Sequence, residues 1–175
     1  MGKQWIAIFS QTGSELDRLV KYTGMPDMVI NHSGRDSTYH EFNQYKMNTE
    51  EVFYFIRNLD PDEYYITLHG FLRIIPPDIC DRFEIYNGHP ALIQFYPELK
   101  GKDPQIRSVN YDWIGSVVHK VTAEVDGGEI LHSVMAKNVE KTEDFVYNTL
   151  KNTSFACWIE FFHMKGKLKV RFDIG

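Results

Sequence analysis

The sequence predicts an α/β fold, with a mostly parallel central sheet and helices on both of its faces. Three observations carry this. Apolar runs of strand length alternate with segments whose apolar residues recur at helical spacing, the order expected of strand–helix–strand units. The first run, Trp5-Ile6-Ala7-Ile8-Phe9, is apolar without interruption, as a strand buried on both faces is. The chain of 175 residues, 43% hydrophobic and 25% charged, is long enough for one domain to bury its own core without disulfide or metal staples.

After the first strand, Ser10-Gln11-Thr12-Gly13 reads as a polar turn, and Leu16, Leu19 and Val20 give the next segment a helical period. Met28-Val29-Ile30 is a second short strand, and residues 31–48, polar and aromatic without a clean period, read as a loop. Thr49 is expected to cap a second helix, with Glu50 and Glu51 at its positive end and Asp60-Pro61 stopping it. Strands follow at Tyr64–His69 and Phe83–Tyr86, and two more, Ile114–Val121 and Glu129–Met135, flank a turn at Asp126-Gly127-Gly128. A long helix is expected from Thr142 to about Phe162, although Phe145 stands where a complete capping box has Glu or Gln. Lys165-Gly166-Lys167 is a tight turn before a last edge strand, Leu168–Phe172. No internal repeat or linker divides the chain.

Nineteen basic against 24 acidic residues leave a formal charge of −5, which argues against nucleic acid as a partner, because phosphate neutralisation needs a basic face. The two cysteines, Cys80 and Cys157, make no CxxC, and a reducing cytoplasm is the expected setting. Neither a signal peptide nor an apolar run of the ~20 residues that span a membrane is expected.

Four places could carry chemistry. The turn Ser10-Gln11-Thr12-Gly13-Ser14-Glu15 opens a helix whose free N–H groups suit an anion, and Thr12 and Ser14 add hydroxyls. It is neither GxGxxG nor a Walker loop, and a plain capped turn would read the same way. Asn87-Gly88-His89-Pro90 follows a strand: Asn can donate to an oxyanion, His can move a proton near neutral pH, and Asn-Gly is equally an ordinary turn pair. Val125-Asp126-Gly127-Gly128 offers a carboxylate that could orient a histidine, or simply a hairpin turn. Gly70-Phe71-Leu72-Arg73-Ile74-Ile75 sets apolar side chains around one arginine, which suits a flat ring with an anionic tail or a loop packed on the core. The remaining histidines have no ligand spacing, and no metal site is expected.

Taken in order, these segments resemble the folate-dependent N-formyltransferases, most closely their glycinamide ribonucleotide branch. The likeness rests on Ser10-Gln11-Thr12-Gly13-Ser14, Gly70-Phe71-Leu72-Arg73-Ile74, Asn87-Gly88-His89-Pro90-Ala91-Leu92, Gly115-Ser116-Val117-Val118-His119, Val125-Asp126-Gly127-Gly128 and Gly166-Lys167-Leu168-Lys169. It implies a single Rossmann-like formyltransferase domain over residues 1–175. It also implies N10-formyltetrahydrofolate as co-substrate, no metal, and a small, phosphorylated primary amine as acceptor. Asn87, His89 and Asp126 would be catalytic. The pterin would lie against Leu68, Phe71, Arg73, Ile74, Ile75 and Ile85 and the loop Thr122, Ala123, Glu124, Val125. Thr12, Gly13 and Ser14 would take the acceptor phosphate, with Glu15, Leu72, Gly88, Pro90 and Asn152 along the acceptor channel. Two departures bear on that acceptor: Glu15 stands where the family usually has Asn, and Asn152 stands where the resemblance puts a glutamate. A nucleotide-linked amino sugar as acceptor, or hydrolysis of the formyl donor, are the alternatives within the family, and a homodimer stays open. The short C-terminal end leads one to expect no tRNA-binding or sugar-enzyme extension.

Overall fold

The computed structural model describes residues 2–36 and 44–169. Among the described residues seven strands form one sheet: β1 (Gln4–Phe9), β2 (Met28–Asn31), β3 (Gln44–Lys46), β4 (Tyr64–His69), β5 (Glu84–His89), β6 (Trp113–Lys120) and β7 (Ile130–Lys137). Their spatial order is β3-β2-β1-β4-β5-β6-β7. The first five strands pair parallel, whereas β5–β6 and β6–β7 pair antiparallel. The helices are α1 (Ser14–Thr23), α2 (Thr49–Arg57), the short α3 (Pro77–Cys80) and α4 (Pro104–Arg107), and α5 (Glu143–Met164).

Alternation along the strands makes the two layers. Trp5, Ala7 and Phe9 point to one face, with Leu16 and Leu19 of α1 and Trp158, Phe161 and Phe162 of α5. Ile6 and Ile8 point to the other, with Val52 and Ile56 of α2, Ile79 of α3, and Ile66 and Ile85. The uninterrupted apolar run of β1 is thus explained by helices on both sides.

The structure departs from the sequence expectations in several places. Within 31–48, Gln44–Lys46 forms an edge strand pairing Val29↔Gln44 to Asn31↔Lys46. A three-residue strand on the sheet edge is too short to leave a period to read. The cap of α2 is Asn48, not Thr49: its side chain accepts the Glu51 N–H at 2.8 Å, and Glu51 Oε1 accepts the Asn48 N–H at 3.2 Å. Thr142 does cap α5, accepting the Phe145 N–H at 3.2 Å. The fourth expected strand runs three residues further, so Asn87, Gly88 and His89 lie inside β5, paired to His119, Val118 and Val117. α3, α4 and a single 3-10 turn at Pro97–Leu99 come in addition, each too short to show a period. Leu168 and Lys169 form no strand, although the Lys169 N–H bonds the Tyr22 carbonyl at 2.8 Å. The rest of the expected last strand, Val170 to Phe172, lies outside the described residues. Among the described residues no helix is long and apolar enough to cross a membrane.

Gly115 on β6 lets β7 come close. A Cβ there would lie 2.1 Å from the Val134 carbonyl oxygen and 2.7 Å from Leu92 Cδ2. A backbone carbonyl cannot swing away as a side chain can, so Gly115→Ala has to shift the pair of strands. The expected loss is about 1–3 kcal/mol, measured as a lower midpoint in urea unfolding.

Candidate active site

Because β1, β4 and β5 are parallel and in register (Phe9↔His69, Leu68↔Asn87), their carboxyl ends open on one edge of the sheet. A cleft of about 1020 Å³ lies there. Its walls come from the β1–α1 turn, the segment after β4, the end of β5, the β6–β7 loop, residues 101–105 and one face of α5.

Most of the residues singled out in the sequence meet in this cleft. Thr12, Gly13, Ser14 and Glu15 line one end. Leu68, Phe71, Leu72, Arg73, Ile74 and Ile75, with Thr122, Glu124 and Val125, line another part. Asn87, Gly88, His89, Pro90 and Asp126 lie on its wall. Three residues stand apart. Ile85 is buried in the core below, and exposed Ala123 does not line the cleft. Asn152 turns away to accept a hydrogen bond from Arg18 Nη1 at 3.1 Å. The face of α5 that does line the cleft carries Tyr147, Leu150, Lys151 and Ser154, a helical period one position out of step with Asn152. His69 and His119 also line it. Sequence reasoning set His69 aside because it lacks metal-ligand spacing, and it named His119 within the Gly115–His119 motif without a site role; their signal was position, each at or next to the end of a strand.

Asp126 is the electrostatic centre. Its side chain is 9% exposed, with Oδ2 3.4 Å from His89 Nδ1 and Oδ1 3.3 Å from His119 Nε2. Oδ2 also accepts the Gly101 N–H at 2.8 Å. Burial pushes its carboxyl up, but His119, His89 and the Gly101 N–H together outweigh this and hold it below the usual carboxylate range. For His89, burial is the largest influence and depresses the imidazole below its ordinary value; Asp126 and the Leu99 carbonyl pull it back only in part. His89 Nε2–H donates to the Leu99 carbonyl at 2.9 Å, so both ring nitrogens have protein neighbours. The Asn87 side chain, half-buried, has no hydrogen-bond partner among the described residues and keeps its full donor capacity.

The loop carrying Asp126 is closely fitted. Asp126 has φ 51°, in the left-handed region. Gly128 lies so close to the Lys120 carbonyl that a Cβ would fall 1.6 Å from its oxygen. At the other end of the cleft Gly13, at φ 77°, opens α1 with no side-chain cap, although Thr12 Oγ1 accepts the Ser14 N–H at 3.3 Å. Among the described residues no group of three or more His, Cys, Asp or Glu is placed to hold a metal ion.

A family model described as formyl transferase matches residues 4–158. This chain belongs to the formyl transferase family. No curated protein sequence matches it. Solved formyltransferase structures share its fold at low identity. Phosphoribosylglycinamide formyltransferase from Streptococcus pneumoniae superposes with a TM-score of 0.75 at 19% identity, covering 93% of this chain and 99% of that one. A sugar N-formyltransferase from a Shewanella species gives 0.70 at 18%, covering 98% and 75%. A formyltetrahydrofolate deformylase from Pseudomonas syringae gives 0.76 at 15%, covering 99% and 65%.

The depressed His89 and Asp126 fix a sign for acid sensitivity. A histidine whose folded pKa lies below its unfolded value near 6.5 leaves the unfolded chain binding more protons between the two. Its contribution is present above 6.5 and declines as pH falls; that of Asp126 declines only below the carboxylate range. His32, also depressed by burial and then by Arg73, adds in the same direction. Thermal midpoints should therefore fall from pH 7 to pH 5, and His89→Gln should make that slope shallower. Parallel slopes would show that His89 is not the group responsible.

Proposed function

We propose that this protein transfers a formyl group from N10-formyltetrahydrofolate to the primary amine of a small, phosphorylated acceptor, with glycinamide ribonucleotide as the reference compound. The observation that supports this most is the meeting of Asn87, His89 and Asp126 on one wall of a cleft that spans from the Thr12–Ser14 turn to the Leu72–Ile75 segment, in a formyl transferase family member.

The residues suggest a division of labour. Leu68, Phe71, Ile75 and Val125 offer an apolar surface to a flat heterocycle, and the backbone of residues 73–75 and of Thr122, Glu124 and Val125 offers its polar edge donors and acceptors. As the amine attacks the formyl carbon, negative charge grows on the formyl oxygen. Asn87, with no hydrogen-bond partner among the described residues, donates to it. His89 joins by turning its Nε2–H from the Leu99 carbonyl to that oxygen. Asp126 holds the imidazole and stabilises its charged form; the proton that leaves the attacking nitrogen passes to N10 of the folate as the formyl C–N10 bond breaks, releasing tetrahydrofolate and the formylated amine. Thr12, Gly13 and Ser14, with Lys151 across the cleft, seat the phosphate. Two free, buried cysteines fit a reducing cytoplasm as the place of work.

The deciding assay is an acceptor screen: purified protein with N10-formyltetrahydrofolate and a panel of phosphorylated amines and amino-sugar nucleotides, following donor loss and formylated product. Donor loss with formate as the sole product would instead make the protein a hydrolase. His89→Ala should lower turnover by about 10²–10³-fold while a folate analogue still binds; near-normal turnover would remove His89 from the chemistry. Ser14→Ala should weaken a phosphorylated acceptor more than its dephosphorylated form, and equal losses would take the phosphate away from this turn.

A further inference from the structure

Glu15 stands in the first turn of α1, beside the turn proposed for the phosphate, yet it carries a negative charge. Its position is set from below. Trp5 Nε1, which can only donate, gives its proton to Thr67 Oγ1 at 2.8 Å. Thr67 is fully buried, and its own hydroxyl proton has one acceptor within reach, His69 Nε2 at 2.9 Å. The Nδ1–H of His69 is then the donor to Glu15 Oε1, at 2.9 Å. The His69 side chain is 2% exposed and packs on the Trp158 ring at 4.7 Å between centroids, so the imidazole cannot turn away. One carboxylate oxygen is thereby fixed, while the side chain remains 36% exposed on the cleft wall.

We propose that Glu15, positioned by His69, accepts a hydrogen bond from a hydroxyl group of the acceptor and so is the residue by which this chain prefers a hydroxyl-bearing acceptor to a simple alkyl phosphate. This rests on the function proposed above. A carboxylate accepts hydrogen bonds and repels an anion, so the phosphate itself sits clear of Glu15 and its partner is a donor. The reacting amine is not that donor: a neighbouring carboxylate favours the ammonium form, and nitrogen must be neutral to attack. A sugar hydroxyl donates without that conflict. His69 touches no substrate and acts through Glu15, as a positioning residue.

The test uses wild type, Glu15→Gln, His69→Asn and His69→Ala with N10-formyltetrahydrofolate and two acceptors. One is glycinamide ribonucleotide; the other is a glycinamide carrying a hydroxyl-free alkyl phosphate. Glu15→Gln keeps the shape but gives up the charged acceptor. It should raise KM for the ribonucleotide about tenfold, the scale of one charge-assisted hydrogen bond, with kcat within twofold and KM for the alkyl phosphate unmoved. His69→Ala should shift KM the same way, and His69→Asn, whose amide N–H falls near the place of Nδ1–H, should recover most of the loss. If Glu15→Gln changes both acceptors equally, or neither, or acts on kcat, the assignment is wrong. Acceptor affinities measured by calorimetry separate this from the function itself. Wild type that formylates neither compound overturns glycinamide ribonucleotide as the acceptor of the proposed function, and a ribonucleotide preference in binding that survives Glu15→Gln overturns the role of Glu15.

Discussion

The cleft is organised around one buried carboxylate. Asp126 sits between His89 and His119 with the Gly101 N–H on its Oδ2, and each neighbour offsets part of the cost of taking the charge out of water. That cost is several kcal/mol for an isolated ion, and removing one partner of a buried pair typically loses about 3–5 kcal/mol. The constraint reaches outward. It requires a left-handed residue at position 126, a glycine at 128 against the Lys120 carbonyl, and a loop at Leu99–Gly101 that meets both His89 and Asp126. A carboxylate held this way stays ionised and points at one side of an imidazole, the arrangement a proton-handling histidine needs.

The change of strand direction at β6 makes that arrangement reachable. Four parallel pairings bring the ends of β1, β4 and β5 to a common edge. The antiparallel partner then sets His119 opposite Asn87, so that groups from a returning strand face groups from an outgoing one. β7 can follow closely only because Gly115 has no side chain. The groups proposed to face substrate therefore rest on rigid strands at Asn87, His89 and His119, and on a tightly fitted loop at Asp126, which favours fixed geometry at the proposed reacting centre.

The other end of the cleft is built on a different principle. There a helix start offers N–H groups, and the sheet beneath supplies a chain of hydrogen bonds from Trp5 through Thr67 and His69 to Glu15. Each member of this chain is on a parallel strand or the helix that follows one, so the core packing that seats Trp5 and Trp158 also fixes a charged group at the surface of the cleft. The proposed chemistry and the proposed acceptor recognition thus have separate supports, one on the β5–β6 side and one on the β1–β4 side.

How much of this could be read from the sequence follows from the range of the interactions. Apolar runs such as Trp5–Phe9 and the helical stripe of α1 report local burial, and they gave the α/β class and most strand positions. The ordered motifs around Ser10–Ser14, Gly70–Ile74, Asn87–Leu92 and Val125–Gly128 pointed to the formyl transferase family before any contact was known. The edge strand Gln44–Lys46 was hidden because three residues are too few to show an alternation, and the cap at Asn48 because Thr49 beside it is an equally good capping residue. Asn152 was drawn toward the cleft because a rotation of one residue on a long helix leaves no trace in composition. The sequence by itself determined which residue types were present for the reaction and where the chain turns, since those are properties of neighbours along the chain. Only the tertiary structure decided that His119 faces Asp126, that Lys151 and Ser154 replace Asn152 on the cleft wall, and that His69 holds Glu15. Strand order, loop closure and helix rotation, which no local pattern encodes, set those placements.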